Sequence, residues 1–155
     1  MPLPAVSQSY LVVQIGDTQI GLQADRVREI VRAVAISPAH GSPSVIEGVI
    51  NLHGQIVPVV DVRQRLALDP ALISPAQFLV VMAVLDRTIA LRVDDVEDIV
   101  ELSDVLAEPA LLSPVLQRLA GVAAAEHGVL MIYDVDSFLT QTERDALDAA
   151  ATVHG

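Results

Sequence analysis

The chain has 155 residues, 52% hydrophobic and 19% charged, enough for one domain with a substantial core and too apolar for disorder. It has no Cys, which excludes disulfides, thiolate metal sites and cysteine nucleophiles, and no Trp with only 3% aromatics, which argues against stacking platforms for nucleic acid. The net charge of −11 repels phosphate backbones, so no nucleic-acid partner is expected. The acidity is uneven: net −1 up to Gln77 and net −10 from Phe78 onward. The N-terminus carries no basic export signal. The most apolar run, Phe78 to Leu85, is far shorter than the roughly 20 residues a spanning helix needs. A cytoplasmic protein without direct membrane insertion is therefore expected.

Taken in chain order, strand-like runs dominate. Tyr10 to Ile15 and Thr18 to Leu22 flank Gly16-Asp17 and read as a hairpin. Arg28 to Ile36 is rich in Val and Ile, and Ser37 to Ser44, with two Pro and a Gly, is a loop. Val45 to Leu52 and Gln55 to Val60 are joined by a turn at His53-Gly54. Phe78 to Leu85 and Thr88 to Val93 repeat the hairpin pattern around Asp86-Arg87, and Val129 to Tyr133 is the last clear strand. Glu97 to Glu108 suits either a strand or a helical turn. Only the tail, about Ser137 to Ala151, reads as helix, with a cap-like pairing of Thr142 and Asp145.

An internal repeat organises these runs. Leu11-Val12-Val13 matches Leu79-Val80-Val81; after one extra residue in the second turn, Asp17, Ile20, Leu22, Asp25, Val27, Ile30 and Val31 fall on Asp86, Ile89, Leu91, Asp94, Val96, Ile99 and Val100. Gly48, Val49, Asp61, Val62 and Leu66 then fall on Gly121, Val122, Asp134, Val135 and Leu139. Two copies of a five-stranded module are implied, one over residues 10–66 and one over 78–139, with a C-terminal helix and tail at 140–155, all within a single domain spanning 1–155. Five short strands close best into a small barrel, which removes exposed edges. The expected fold is thus all-β: two small five-stranded SH3-like barrels related by internal duplication, plus a C-terminal α-helix. Val12, Val80, Ile20, Ile89, Leu22 and Leu91 are expected to face inward. Pro58 cannot donate to a ladder, so its nitrogen must face a sheet edge or a bulge.

Residues suited to catalysis are scarce. His40, His53, His127 and His154 lack ligand spacing, so no metal site is expected. There is no phosphate loop, and the Ser residues sit mostly beside Pro in turns. Asp94-Asp95 and Glu97-Asp98 could form a carboxylate pair, but a solvated turn and strand rim fits them better. A non-enzymatic binding module without cofactor is the expectation.

The block Val45 to Leu66, VIEGVINLHGQIVPVVDVRQRL, together with YLVVQIGDTQIGLQADRVREIV, resembles the CheW family of bacterial chemosensory coupling proteins. The matching residues are Val27, Glu29 and Ile30, then Gly48, Val49, Asn51, Leu52, Gly54, Ile56, Val57, Pro58, Val59, Asp61 and Arg63. The resemblance implies intertwined barrels and an adaptor role. The partners it implies are the cytoplasmic tip of methyl-accepting chemoreceptors and the regulatory domain of a CheA-type histidine kinase. It implies receptor contacts at Val27, Glu29, Ile30, Leu52, His53 and Gly54, and a kinase barrel docked on the first module; because Pro58 is expected to interrupt an edge there, the kinase-binding face is expected near Ile46, Ile56, Val57 and Pro58. The family commonly has Arg where this chain has His53, implying a receptor contact that is weaker, retuned or pH-sensitive. The stretch Gly121 to Gly128 also lacks a second family Gly. Alternatives in the same class are a coupling protein for another chemosensory output, such as pilus motility, and a regulatory competitor that binds kinase or receptor without joining them.

Overall fold

The computed structural model describes residues 8–38, 45–65, 68–102, 105–107, 119–125, 128–133 and 144–145. Eleven strands account for most of them. The first half supplies β1 (Gln8–Ile15), β2 (Thr18–Gln23), β3 (Val27–Arg32), β4 (Ile46–Leu52) and β5 (Gln55–Val60). The second supplies β6 (Phe78–Val84), β7 (Arg87–Val93), β8 (Asp95–Leu102), β9 (Val105–Ala107), β10 (Leu119–Ala125) and β11 (Gly128–Tyr133). A single helical turn, α1 (Val62–Arg65), follows β5 and was not foreseen. The ambiguous stretch after Glu97 resolves as strand, in β8 and β9. The expected tail helix falls outside the described residues except for Arg144 and Asp145, which are helical.

The strands form two sheets, one ordered β8-β1-β2-β11-β10-β9 and the other β3-β6-β7-β5-β4. The first half therefore does not close on itself. Each sheet takes a hairpin from one half and its remaining strands from the other: β1–β2 is joined by four strands of the second half, and β6–β7 by three of the first, the intertwining that the family resemblance implies. The second sheet closes into a barrel through Ser37, just beyond β3. The Ser37 amide donates to Val49 O at 2.9 Å, and the Val49 amide donates to Ser37 O at 2.8 Å. Gly48 permits this closure, because a Cβ there would lie 2.4 Å from Ser37 O. In the first sheet β9 does the same job on β10, pairing Ala107 with Val122.

The registers correct the repeat alignment. Leu11 pairs with Leu22 and Val13 with Ile20; Val80 pairs with Leu91 and Met82 with Ile89. Leu11 is thus the counterpart of Val80, not of Leu79, and one offset of 69 holds through the whole hairpin. Both turns have two residues, Gly16-Asp17 and Leu85-Asp86, so there is no extra residue in the second. The bulges agree: Arg28 is skipped between Val27 and Glu29, and its counterpart Glu97 between Val96 and Asp98.

A slip of one residue exchanges the faces of a strand, and the core shows the consequence. Leu11, Val13, Ile15, Ile20 and Leu22 of the first sheet pack with Val80, Met82, Val84, Ile89 and Leu91 of the second in one shared core. Val12 lies on the other face, with Tyr10 and Ile132. Leu79 and Val81 line the inside of the second barrel with Ala33, Ile50, Val57, Val59 and Ala90. All six residues expected to face inward are buried, but only Val12 faces its own barrel. The other five lie between the sheets.

Candidate functional site

The site begins with two segments far apart in sequence. β3 alternates half-buried and exposed residues: Val27, Glu29 and Val31 turn partly inward, while Arg28, Ile30 and Arg32 face solvent. Val27 packs against the shared core. Ile30 is 40% exposed, an apolar side chain left in water. The β4–β5 hairpin ends in a two-residue turn in which His53 and Gly54 both have positive φ, 53° and 86°. Gly tolerates that region freely, and His is among the side chains enriched there. The Gly54 amide donates to Asn51 Oδ1 at 2.9 Å and locks the turn. Leu52, half-buried, rests on the inner core of the second barrel.

Folding brings these segments together. His53 Nε2 lies 3.1 Å from both carboxylate oxygens of Glu29. The His53 side chain is 76% exposed, so the pair sits at a solvent rim. Val27, Glu29, Ile30, Leu52, His53 and Gly54 thus belong to linked segments, with an ion pair across them when His53 is protonated.

The kinase-face residues fare differently. Ile46 belongs to the shared core and Val57 to the inner core of the second barrel, and Pro58 is also buried. Only Ile56 is partly exposed. β5 is not an edge strand either, since it lies between β7 and β4. Counting from the two-residue turn, Pro58 turns its nitrogen away from β4, toward β7. There the parallel pairing starts one residue later, with Val59 opposite Ala90. The interruption that Pro58 imposes is therefore inside the sheet. Ile46, Val57 and Pro58 fill the core and offer a partner no side chain.

A polar network escaped the sequence reading. Arg92, on β7 and nearly fully buried, donates from Nε to Glu47 Oε2 at 2.8 Å and from Nη2 to Glu47 Oε1 at 2.5 Å. It also donates to Gln77 Oε1 and to Ala71 O, each at 2.9 Å. Gln77 Nε2 donates in turn to Asp94 Oδ1 at 2.9 Å. Asp94 accepts from the Gly16 amide at 2.6 Å and pairs with Arg63. Burial works against ionisation of both groups, yet the partners prevail. Hydrogen bonding and charge from Glu47 hold Arg92 above its ordinary value, and the Gly16 amide, Gln77 and Arg63 hold the Asp94 carboxyl below the usual range. Asp94, its side chain 29% exposed, is thus held by partners and is not half of a carboxylate dyad, while Asp95, Glu97 and Asp98 are exposed, as expected of a solvated turn and strand rim. Asp94 ties the β1–β2 turn of one sheet to α1 and the β7–β8 link. An acidic pair directly after an apolar strand was the signal available, but the partner of Asp94, Arg63, lies 31 residues away. Among the described residues no three His, Asp or Glu are placed to hold a metal ion, and no helix is long and apolar enough to cross a membrane.

Residues 9–143 match the model of the CheW-like domain. The chain belongs to the CheW-like family. Among curated relatives, the chemotaxis protein CheW of Rhizobium meliloti is 31% identical over 142 residues, covering 90% of this chain and 92% of the relative. That of Klebsiella aerogenes is 26% identical, covering 96% and 92%. Among solved structures, the scaffolding protein TtCheW of Thermoanaerobacter tengcongensis superposes with a TM-score of 0.78 at 23% identity, covering 92% of each chain. The likeness to that structure bears out the fold: the two β-sheets match the paired SH3-like barrels expected from the sequence.

Proposed function

We propose that this chain couples the cytoplasmic tips of chemoreceptors to a CheA-type histidine kinase, acting in the cytoplasm without catalysis of its own. The observation that carries this reading is the Glu29–His53 contact, which draws β3 and the Asn51–Gly54 turn into one surface beside exposed Ile30 and half-buried Leu52. A receptor tip, a helical hairpin, buries an apolar stripe against Val27, Ile30 and Leu52, with Glu29 and His53 at the rim. Coupling is geometric: two partners on separate surfaces are held in fixed relation, so the state of one biases the other. On the kinase side, the accessible member of the proposed face is Ile56.

Titration calorimetry against a receptor-tip fragment tests the receptor surface. Ile30→Asp and Leu52→Asp should weaken binding at least about tenfold, as loss of a buried anchor does. Ile30 is exposed, so its variant separates binding from folding. Val27→Asp should act the same way where circular dichroism shows it folded. His53→Arg should keep binding, because a guanidinium can still reach the Glu29 carboxylate. Unchanged affinity in folded Ile30→Asp and Leu52→Asp would place the receptor elsewhere. Ile56→Glu should abolish co-sedimentation with kinase and leave receptor binding intact. The reverse pattern would overturn the kinase face.

A further inference from the structure

The molecule carries a net charge of −11, yet the outward side of β3 is basic. Arg28, Ile30 and Arg32 alternate along it, all exposed, with Ile30 at 40%. Glu29, the acid of this strand, turns partly inward and meets His53 instead. The neighbouring strand β6, FLVVMAV, brings no charge beside them. Arg63 and Arg92 are matched to Asp94 and Glu47, but Arg28 and Arg32 are held differently. Arg28 Nη1 donates to Asp25 O at 3.0 Å. The Arg32 guanidinium lies over the Phe78 ring, 4.4 Å from its centre, and its Nη1 donates to Ala76 O at 3.5 Å. Carbonyls and a ring, none with a net charge, fix these two cations in place.

We propose that the receptor-tip helix lying on β3 presents an acid, an apolar residue and a second acid at four-residue intervals, the acids meeting Arg28 and Arg32 and the apolar residue covering Ile30. The inference rests on the coupling reading and adds to it the chemistry of the tip. The spacings agree. A strand advances about 3.3 Å per residue, so Ile30 lies about 7 Å from each Arg along β3. A helix advances about 1.5 Å per residue, so positions four apart on one face are about 6 Å apart, a difference that long Arg and Glu side chains absorb. The pattern also selects register. Sliding the helix by one turn sets an acid over Ile30 and an apolar residue over an Arg. Sliding it by one residue turns the stripe about 100° away. The acidic remainder of the molecule repels such a helix, which confines it to this strand and speeds its docking. Arg28 and Arg32 are thus specificity determinants, while Ile30 and Leu52 supply the apolar contact.

Titration calorimetry of the full chain against two probes tests it. The first is a receptor-tip helical hairpin with Glu-x-x-x-Leu-x-x-x-Glu on its exposed face, and the second is the same hairpin with both Glu changed to Arg. The native chain should bind the first about tenfold more tightly than the second, and R28E/R32E should reverse that preference. Both substitutions are at exposed positions, so the fold is spared, which circular dichroism checks. Raising the ionic strength from about 0.1 M to 1 M, which shortens the Debye length from about 10 Å to 3 Å, should narrow the difference between the probes. A third hairpin of the same composition, with its two Glu moved to the opposite face, should lose the advantage of the first. If it binds equally well, the attraction is to negative charge in general and the proposed match is overturned. A native chain without preference, or a preference that R28E/R32E leaves unchanged, overturns it as well. The coupling reading fails separately, through unchanged affinity in Ile30→Asp and Leu52→Asp. If both of these weaken binding and the Arg variants do not, the receptor surface stands and the charge match falls.

Discussion

The two hairpins that the sheets exchange, β1–β2 and β6–β7, have the same register but solve their local problems differently. In the first, the turn is Gly16-Asp17 and the position matching Arg92 is Gln23. In the second, the turn is Leu85-Asp86, with both residues at positive φ, and Arg92 is buried against Glu47. The parallel pairs that lock each hairpin to the other half differ too. β11 meets β2 at Met131, Ile132 and Tyr133, whereas β5 meets β7 only at Val59 and Val60. The missing pair is the one at Pro58, the counterpart of Met131. Duplicated topology thus survives changes in turn chemistry, polar content and one ladder position, provided the hairpin register and the apolar alternation are kept.

The largest test of this comparison is the buried pair. Arg92→Met strands Glu47 without its partner and should cost about 3–5 kcal/mol in urea unfolding, while Arg92→Met with Glu47→Leu should recover most of that loss. Recovery would show that the first half, with Gln23, lacks nothing essential. Next come Leu22→Ala and Leu91→Ala. They occupy equivalent places in one shared core, so each should cost about 2–4 kcal/mol, and by similar amounts. A large difference between them would break the equivalence of the hairpins. An intermediate effect is expected in acid. The fold keeps Asp94 ionised below the pH at which an unfolded Asp, with a pKa of about 3.9, takes up its proton. That contribution is fully present above about pH 4 and is lost as pH falls through the lowered folded value. Asp94→Asn should therefore flatten the decline in stability below about pH 4, read by unfolding midpoints across pH. The smallest change is Leu85→Gly, which gives the second turn the residue of the first. It relieves a left-handed leucine and should raise stability by up to about 1 kcal/mol, less the entropy that Gly adds to the unfolded chain.

What the sequence made legible follows from the same contrast. Hairpins with strict alternation and two-residue turns can be read directly, the His53-Gly54 turn among them, whereas its place beside Glu29 came only through the family resemblance. The offset slipped because LVV matches LVV one residue out of phase, and a run of Val carries no internal mark of which face is which. Only the turn fixes the phase. Three of the four residues expected on the kinase face, Ile46, Val57 and Pro58, are buried for a related reason. Val57 to Val60 is buried throughout, as a continuous apolar strand covered on both faces should be, so the Pro inside it marked the interior and not a rim. β10 went unread because LAGVAAA has few β-branched residues. The Arg63–Asp94 and Arg92–Glu47 contacts join residues 31 and 45 apart, beyond any local pattern.

The exchange of hairpins also bears on how the chain is made. As it leaves the ribosome, β1–β2 emerges first, yet both of its sheet neighbours, β8 and β11, come from the second half. Residues 10–66 can form local hairpins but cannot cover them, and the first sheet stays open until Tyr133 has been synthesised. Such long-range pairing is slow and leaves apolar strand edges exposed in the meantime. It follows that the two halves, produced as separate polypeptides, should be insoluble apart and recover a native spectrum when synthesised together.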